Sequence, residues 1–439
     1  MTDNVYASRR RAFLDAMGEG TVAVVAAAPV HIRNNDVEHE YRQDSDFFYL
    51  TGLDEPDSVL VLSRVHEEHD AVLFVRPRDP ERETWDGPRT GVDGAVTTFG
   101  ATAAFEFGTL GKKLAGYLSG AHTLHYRFGL HPEMDAQVFR SLDVARRMHR
   151  NKKAFPRTFV DPGIHLHEAR LRKDASELDT MRAAARVTHD AHLAAMRAAA
   201  PARYEYELEA EILGVFRRAG CERPAYGPIV GSGPNATILH HRRNDRQIGE
   251  DDLVLIDAGC ELGYYACDVT RTFPANGRFT PPQRALYEVV LRAQQACIDA
   301  TRPGATIDAI HETAVAVITE GLVDLGLVEG PVADAIEHER YRAFYMHRTS
   351  HWLGMDVHDV GLYYVDGEAR PLEPGMVITI EPGVYVSQDA EVDPKWRGIG
   401  IRIEDDILVT EDGNENLTVM IPRSVDEVEA AVQAAQAAE

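Results

Sequence analysis

Two aspartates lie eleven residues apart in the stretch 254-VLIDAGCELGYYACDVTRT-272: Asp257 and Asp268. Each belongs to a segment whose β-branched and aromatic residues predict a buried strand. If Leu262-Gly263 is the turn, the aspartates face each other on paired strands, with Cβ atoms about 4.5–5.5 Å apart. Two buried like charges at that separation repel, so a shared proton, a basic side chain or a bound cation must compensate them.

Three later segments carry further side chains capable of chemistry: 350-SHWLGMDVHDVG-361, 376-MVITIEPGVY-385 and 398-GIGIRIEDDILV-409. Within them the relevant residues are His351, His358, Glu381, Arg402 and Glu404. Glu381 ends an apolar strand, and the period of two places Arg402 and Glu404 on one face of another. Carboxylates rarely occupy such positions without a partner.

The four strand carboxylates favour the cation among these alternatives. One shared proton neutralises one pair, and Arg402 pairs with one carboxylate, whereas two divalent cations neutralise all four. Carboxylates with one or two imidazoles suit Mn²⁺, Mg²⁺ or Co²⁺ better than a thiolate-preferring ion. Paired metal ions activate water, so the pattern predicts a hydrolase.

The elements that position these residues indicate an α+β fold in the second half of the chain, where helix pairs alternate with antiparallel strands. Asp174 and Glu177 form a capping-box pair before an Ala-rich helix. The preceding stretch, 151–173, contains prolines and many charges and predicts a connection between domains. We therefore expect a smaller α/β domain at 1–172 and a catalytic domain at 173–439.

Composition narrows the partners and the compartment. The net charge of -24 argues against nucleic acid and against an anionic membrane surface. No apolar run reaches transmembrane length. The first residues predict a short amphipathic helix rather than a secretory leader, and the four cysteines form no CxxC pair. We expect a cytoplasmic protein.

The segments DAGCELGYYACDVTRTFP, SHWLGMDVHDVG, EPGMVITIEPGVY and RGIGIRIEDD resemble the pita-bread metallopeptidases, specifically the Xaa-Pro aminopeptidase (aminopeptidase P) family. The stretches 41–62 and 83–95 resemble that family's N-terminal domain. The resemblance implies a C-terminal pita-bread catalytic domain and two metal ions, usually Mn²⁺, with Co²⁺, Zn²⁺ or Mg²⁺ as alternatives. The implied metal ligands are Asp257, Asp268, His351, Glu381 and Glu404.

The resemblance also implies roles for side chains around the metals. Glu381 would move the proton of the attacking water, while His240 and His358 would hydrogen-bond the substrate carbonyl and the oxyanion. In 229-IVGSGPNATILHH-241, alternation sends only one of His240 and His241 to the site. The other implied substrate-binding residues are His347, Arg402, Tyr226, Tyr385 and Trp85, the last at a subunit contact, and Asp36 is a further candidate on a neighbouring subunit's site.

The implied reaction removes the N-terminal residue from peptides with proline second, a bond that lacks an N–H. A homotetramer or a homodimer is implied, because the family's N-terminal domain contributes to assembly. Prolidase, which cuts Xaa-Pro dipeptides, is the closest alternative. Methionine aminopeptidase fits less well because it lacks the N-terminal domain, and a non-catalytic peptide-binding scaffold on the same fold is the alternative from another class.

Overall fold

The structure, a computed structural model, describes residues 5–148 and 153–436 and divides between Ala169 and Arg170 into two compact units. The stretch predicted to connect two domains has its first two residues, 151 and 152, outside the described part. The rest of it contains a strand of the first unit's sheet and a helix. The division between the two units falls inside this stretch, and after the division Arg170 and Lys173 are in buried ion pairs rather than on a solvated linker.

The first unit is built on a six-stranded mixed sheet. Its helices are α1 Val5–Met17, α2 Ser45–Thr51, α3 Pro80–Asp86, α4 Gly91–Thr97, α5 Leu110–Leu118, α6 Pro132–Met148 and α7 Gly163–Leu171, the last of which crosses the division. Its strands are β1 Thr21–Ala26, β2 Ile32–Asn34, β3 Val37–Glu38, β4 Val59–Ser63, β5 Ala71–Val75, β6 Ala103–Glu106, β7 Thr123–His125 and β8 Thr158–Val160. The sheet order is β6-β5-β4-β1-β7-β8, with β4 antiparallel to both its neighbours, while β2 and β3 form a separate hairpin.

Over its described residues, 170–436, the second unit combines six α-helices with short antiparallel strands. The helices are α8 Ala175–Ala198, α9 Glu205–Arg218, α10 Pro281–Ala300, α11 Ile307–Asp324, α12 Val332–Glu337 and α13 Val425–Gln436. The strands are β9 Arg223–Pro224, β10 Ile229–Ser232, β11 Leu253–Asp257, β12 Cys260–Leu262, β13 Tyr265–Ala266, β14 Thr270–Pro274, β15 Tyr364–Val365, β16 Glu368–Ala369, β17 Val377–Ile380, β18 Gly383–Val386, β19 Ile399–Arg402, β20 Asp405–Val409 and β21 Asn414–Asn416. Every strand pairing among the described residues of this unit is antiparallel, so the α+β expectation is confirmed.

Helix α8 begins at the predicted capping box. Oδ1 of Asp174 accepts from the backbone N–H of Glu177 at 3.0 Å, and Oε2 of Glu177 accepts from the N–H of Asp174 at 2.9 Å. A cap of this kind stabilises a helix by about 1 kcal/mol. The other oxygen of Glu177 accepts from the hydroxyl of Tyr265 on β13 at 2.7 Å, so the cap also attaches the helix to the strands near the two aspartates.

The hairpin that carries Asp257 and Asp268 turns one residue later than predicted. Gly263 and Tyr264 have φ values of +54° and +70°, as a two-residue turn with two left-handed residues requires. Asp257 therefore faces Thr270, and the predicted direct opposition of the two aspartates is wrong. The residue opposite Asp257 lies two positions beyond the predicted Asp268. Because side chains alternate between the two faces of a strand with a period of two, Asp257 and Asp268 still share one face.

Among the described residues, no helix combines the length and the apolar character needed to cross a membrane.

Candidate active site

Four carboxylates and one imidazole converge at the centre of the second unit. Asp257 ends β11, Asp268 precedes β14, Glu381 directly follows β17, and Glu404 lies between β19 and β20. Nε2 of His351 is 3.4 Å from Oδ2 of Asp268 and 3.5 Å from Oε1 of Glu381. Ligand atoms of Asp268, His351 and Glu404 all lie within 4.8 Å of one another.

The ring of His351 is oriented by its other nitrogen. Nδ1–H donates to the carbonyl oxygen of Trp352 at 3.0 Å, which leaves Nε2 facing the carboxylates. Ligating histidines are commonly fixed by such a bond. Burial alone would lower the pKa of His351, but Asp268 and Glu381 outweigh it and raise that pKa to about 9. The cluster therefore attracts positive charge.

Burial and mutual repulsion raise the pKa values of Asp257, Glu381 and Glu404 above the ordinary carboxyl range. Burial raises the pKa of Glu381 to about 7, with Asp268 and Asp257 adding to the shift against His351 and Arg402. Burial followed by the neighbouring carboxylates raises the pKa of Glu404, and burial raises that of Asp257. This excess of buried oxygen ligands over positive charge fits hard divalent cations.

Tyr226 and Arg402 contact the cluster from one side. The hydroxyl oxygen of Tyr226 lies 2.6 Å from Oδ1 of Asp257 and 2.5 Å from Oδ1 of Asp268, so one phenolic proton is shared between the two carboxylates. Arg402 donates from Nη2 to Oδ2 of Asp257 at 2.5 Å, from Nη1 to the hydroxyl of Tyr385 at 3.1 Å and from Nε to Oγ1 of Thr270 at 3.0 Å. These contacts bring together residues predicted separately from four segments.

A cavity of about 900 Å³ opens onto the cluster. Its wall includes His347, whose Nδ1–H donates to the carbonyl of Arg348 at 2.7 Å and whose Nε2 accepts from the hydroxyl of Tyr385 at 2.9 Å. Burial, with Arg402 nearby, lowers the pKa of His347 to about 3. The imidazole is therefore neutral and fixed in one tautomer, and it presents a rigid face to the cavity.

Two further histidines reach the cavity with exposed rings, His240 and His358. The ring centroid of His358 is 4.5 Å from that of His351, and burial together with the charge on His351 lowers the pKa of His358. His241 is buried, with Nε2 3.1 Å from Oε2 of Glu205. The structure thus places His240, and not His241, at the cavity.

The sequence model of metallopeptidase family M24 matches residues 179–411, more than half of the chain and the part that contains the whole cluster. The chain belongs to this family. The model of the aminopeptidase P N-terminal domain matches residues 6–126 of this M24 metallopeptidase. Together these matches confirm a C-terminal pita-bread domain preceded by an aminopeptidase P N-terminal domain.

Individual relatives agree with this assignment. The M24 chain is 44% identical to the Xaa-Pro aminopeptidase of Escherichia coli over 429 residues, which cover 98% of this chain and 97% of the relative. It resembles the solved structure of an aminopeptidase from Pseudomonas aeruginosa with a TM-score of 0.97 and 51% identity over 98% of both chains. Proline aminopeptidase P II from Yersinia pestis gives a TM-score of 0.95 and 44% identity, covering 99% of this chain and 100% of that one.

Two candidate residues of this metallopeptidase lie in the first unit. Trp85 is on α3 with 84% of its surface exposed, and Asp36 is exposed in the turn between β2 and β3. Neither is among the residues that line the cavity. Their proposed work on a neighbouring subunit stays a prediction.

A buried layer behind the ligands was not predicted from the sequence. Arg271 is fully buried and donates to Oδ1 of Asp405 and to the carbonyl of Glu404, both at 2.6 Å. Oδ2 of Asp406 accepts from the backbone N–H of Asp268 at 3.2 Å. The signal for this layer in the sequence was the pair Asp405 and Asp406, two acidic residues directly after Glu404 in an otherwise apolar strand. These residues fix the backbone of two proposed metal ligands.

Proposed function

We propose that this M24 metallopeptidase is an Xaa-Pro aminopeptidase, which hydrolyses the first peptide bond of peptides whose second residue is proline. The observation that carries the proposal is the convergence of Asp257, Asp268, His351, Glu381 and Glu404 at the end of one cavity walled by three histidines. The names of its relatives support the same activity.

We propose that the five ligands hold two divalent metal ions, with Mn²⁺ preferred and Co²⁺, Zn²⁺ or Mg²⁺ as alternatives. Four oxygen ligands and a single imidazole suit Mn²⁺. Such a pair, when bound, would polarise the scissile carbonyl and lower the pKa of the attacking water.

Glu381 is the proposed proton carrier of the reaction. Its side chain retains some exposure toward the cavity, at 18%, whereas Glu404 is 1% exposed as a residue. A carboxyl with a pKa of about 7 is suited both to accept a proton from water and to return it to the departing proline nitrogen. That nitrogen leaves as an amine, so it must gain a proton as the bond breaks.

The proposed substrate contacts follow from the positions of the side chains around the cavity. His240 and His358 would donate to the scissile carbonyl oxygen as its negative charge develops. His347 and Arg402 line the cavity and are joined by hydrogen bonds through the hydroxyl of Tyr385, and these three residues would form the pocket for the proline ring. Tyr226, proposed near the substrate, would act by holding the two aspartates together.

Peptide length separates this proposal from prolidase. The cavity extends beyond the histidines to Ile307, Arg348, Leu362 and Tyr364. A dipeptide bound at the cluster would leave this outer region empty, whereas a longer peptide would cover it. We therefore place the dipeptidase second.

We further propose domain limits of 1–172 for the N-terminal domain and 173–439 for the catalytic domain, a homotetramer or homodimer, and a cytoplasmic location. An almost fully exposed tryptophan such as Trp85 is typical of a surface covered on assembly. Light scattering would test the oligomer. Trp85→Ala should weaken it if that side chain lies at the subunit contact.

The deciding experiment measures hydrolysis of Ala-Pro-Ala and Ala-Pro by the purified protein, with Mn²⁺ and with a chelator. We expect metal-dependent release of alanine from the tripeptide and loss of this activity in Glu381→Gln. Cleavage of the dipeptide alone would favour prolidase. Cleavage of neither peptide at full metal content would favour the scaffold alternative.

A further inference from the structure

The two histidines proposed to contact the carbonyl share an unusual setting. Neither His240 nor His358 has a hydrogen-bond partner among the described residues, and both rings are exposed at the cavity. Each is followed directly by a buried residue in a charged cluster, His241 and Asp359. We propose that His241 and Asp359 are positioning residues that hold the backbone of the preceding histidine in its reactive orientation. This inference rests on the proposed function.

His241 is held by a fully buried glutamate at the start of α9. Oε2 of Glu205 lies 3.1 Å from Nε2 of His241 and accepts from the backbone N–H of Arg246 at 3.0 Å. Oε1 accepts from the backbone N–H and the hydroxyl of Ser232 at 2.7 and 2.8 Å, and from Nδ2 of Asn235 at 3.0 Å. One carboxylate thus fixes both ends of the loop that carries His240.

Glu205 and His241, together with Asp245, also have the spacing of a metal site. The contacts argue against that use. Both oxygens of Glu205 already accept from N–H or O–H groups, and Asp245 is an exposed residue paired with Arg243 at 3.0 Å. Because a cation would have to displace these donors, the cluster is better explained as a hydrogen-bonded clamp.

Asp359 is held by two cations from the start of the second unit. Oδ1 accepts from Nη2 of Arg170 at 2.7 Å and Oδ2 from Nζ of Lys173 at 3.0 Å, and the three side chains are 1–2% exposed. Gly354 packs directly over this ion pair, where an added Cβ would lie 2.1 Å from Oδ2 of Asp359. The loop that bears His358 is therefore attached to the protein interior at the residue after the histidine.

A histidine side chain without its own hydrogen bond depends on its backbone for orientation. Removing one partner of a buried hydrogen bond or ion pair leaves the other group unsatisfied, so the loop would move until water reaches that group. A displacement of about 1 Å at a reacting group lowers rates by roughly 100-fold. The loss should therefore appear in kcat rather than in KM.

Double-mutant cycles test the inference. We expect His241→Ala to lower kcat at least about tenfold with KM changed less than about threefold. In a His240→Ala background the same substitution should cost less than about twofold, because the histidine it positions is gone. In a His358→Ala background, His241→Ala should keep its full effect on kcat. Asp359→Asn should keep its full effect on kcat in the His240→Ala background and cost less than about twofold in the His358→Ala background. Each cycle is therefore the matched control for the other.

Conservative variants separate positioning from general loss of structure. His241→Gln keeps a side-chain donor for Glu205 and should recover most of kcat. Asp359→Asn removes the carboxylate partner of Lys173 and one of the two carboxylate partners of Arg170, which keeps Asp356 at 2.7 Å. Because this change can prevent folding, Gly354→Ala serves as a second variant that displaces Asp359 without removing a charge. Thermal unfolding and Mn²⁺ content establish that each compared variant is folded and loaded.

The outcomes distinguish this inference from the function on which it rests. One outcome is that His240→Ala and His358→Ala each lower activity while the effects of His241→Ala and Asp359→Asn on kcat are the same in every background. That result would overturn the positioning inference and leave the proposed function standing. Retention of wild-type kcat by His241→Ala and by Gly354→Ala would overturn it as well. If His240→Ala and His358→Ala themselves keep full activity, their proposed contacts are wrong and the inference falls with them.

Discussion

Nη2 of Arg402 lies 2.5 Å from Oδ2 of Asp257, and both side chains are buried among the proposed metal ligands. The guanidinium also donates to the hydroxyl of Tyr385, which in turn donates to His347 in the cavity wall. One arginine therefore joins the proposed metal centre to the proposed proline pocket. Substitution of Arg402 should therefore affect both the metal centre and the proline pocket.

Arg402→Met should destabilise the metal-free protein strongly, because breaking a buried ion pair costs about 3–5 kcal/mol. Bound Mn²⁺ would compensate Asp257, so the fall in Tm should be smaller in the metal-loaded protein. Thermal unfolding with Mn²⁺ and with chelator measures both. Arg64→Met, at an ion pair with the exposed Asp15, is the control and should cost less than about 1 kcal/mol. A fall in Tm that is equal with and without metal would contradict this account.

Metal affinity should fall more steeply with decreasing pH below about 7, where protonation of Glu381 adds to that of His351, whose pKa is about 9. Glu381 has a raised pKa of about 7, so this carboxyl is increasingly protonated below that pH and must lose its proton to bind a cation. Each displaced proton lowers affinity by up to about tenfold per pH unit. Titration calorimetry with Mn²⁺ at pH 6 and pH 8, in buffers of different ionisation enthalpy, should show more protons released at pH 6. Equal release at both pH values would count against Glu381 as a ligand.

Tyr226→Phe should destabilise the metal-free protein by about 1.5–3 kcal/mol, the usual contribution of a hydrogen bond to a charged group to protein stability. The phenol's proton is shared by Asp257 and Asp268, and without it the two carboxylates repel. Mn²⁺ should restore most of the lost Tm. Tyr206→Phe, at a half-exposed position on α9, provides the control. An unchanged Tm of metal-free Tyr226→Phe would show that the shared proton is unimportant.

Gly400→Ala should lower kcat at least about tenfold by moving the turn that precedes His240. A Cβ at Gly400 would lie 2.1 Å from the carbonyl oxygen of Ala236, a contact that the backbone must relieve. Gly413→Ala is the matched control, because nothing lies within 4 Å of a Cβ there. Steady-state kinetics on Ala-Pro-Ala compares the two variants. Equal kcat values for both would mean that the loop tolerates the displacement.

Several features of this protein were predictable because they depend on neighbouring residues. The Asp174–Glu177 capping box is a local contact and was found as predicted. The apolar strands that end in Asp257 and Glu381 follow from composition and periodicity. The α+β class followed from the order of those elements.

The register of the aspartate hairpin was not predictable to the residue. It depends on which two residues adopt left-handed dihedrals, and Tyr264 is an improbable choice beside Gly263. The residues of a short hairpin do not by themselves determine which two of them form the turn. Strand β12 also pairs with β9, and β11 with β10, so the surrounding sheets hold the turn in place.

The sequence by itself determined which chemical groups are available, because residue type, charge and strand periodicity are local properties. Only the tertiary structure decided which of them meet. Tyr226 reaches Asp268 across 42 residues and Arg402 reaches Asp257 across 145, and no local pattern encodes such contacts. The choice of His240 over His241 likewise depended on Glu205, 36 residues from His241, because burying one histidine against that carboxylate leaves the other to face the cavity.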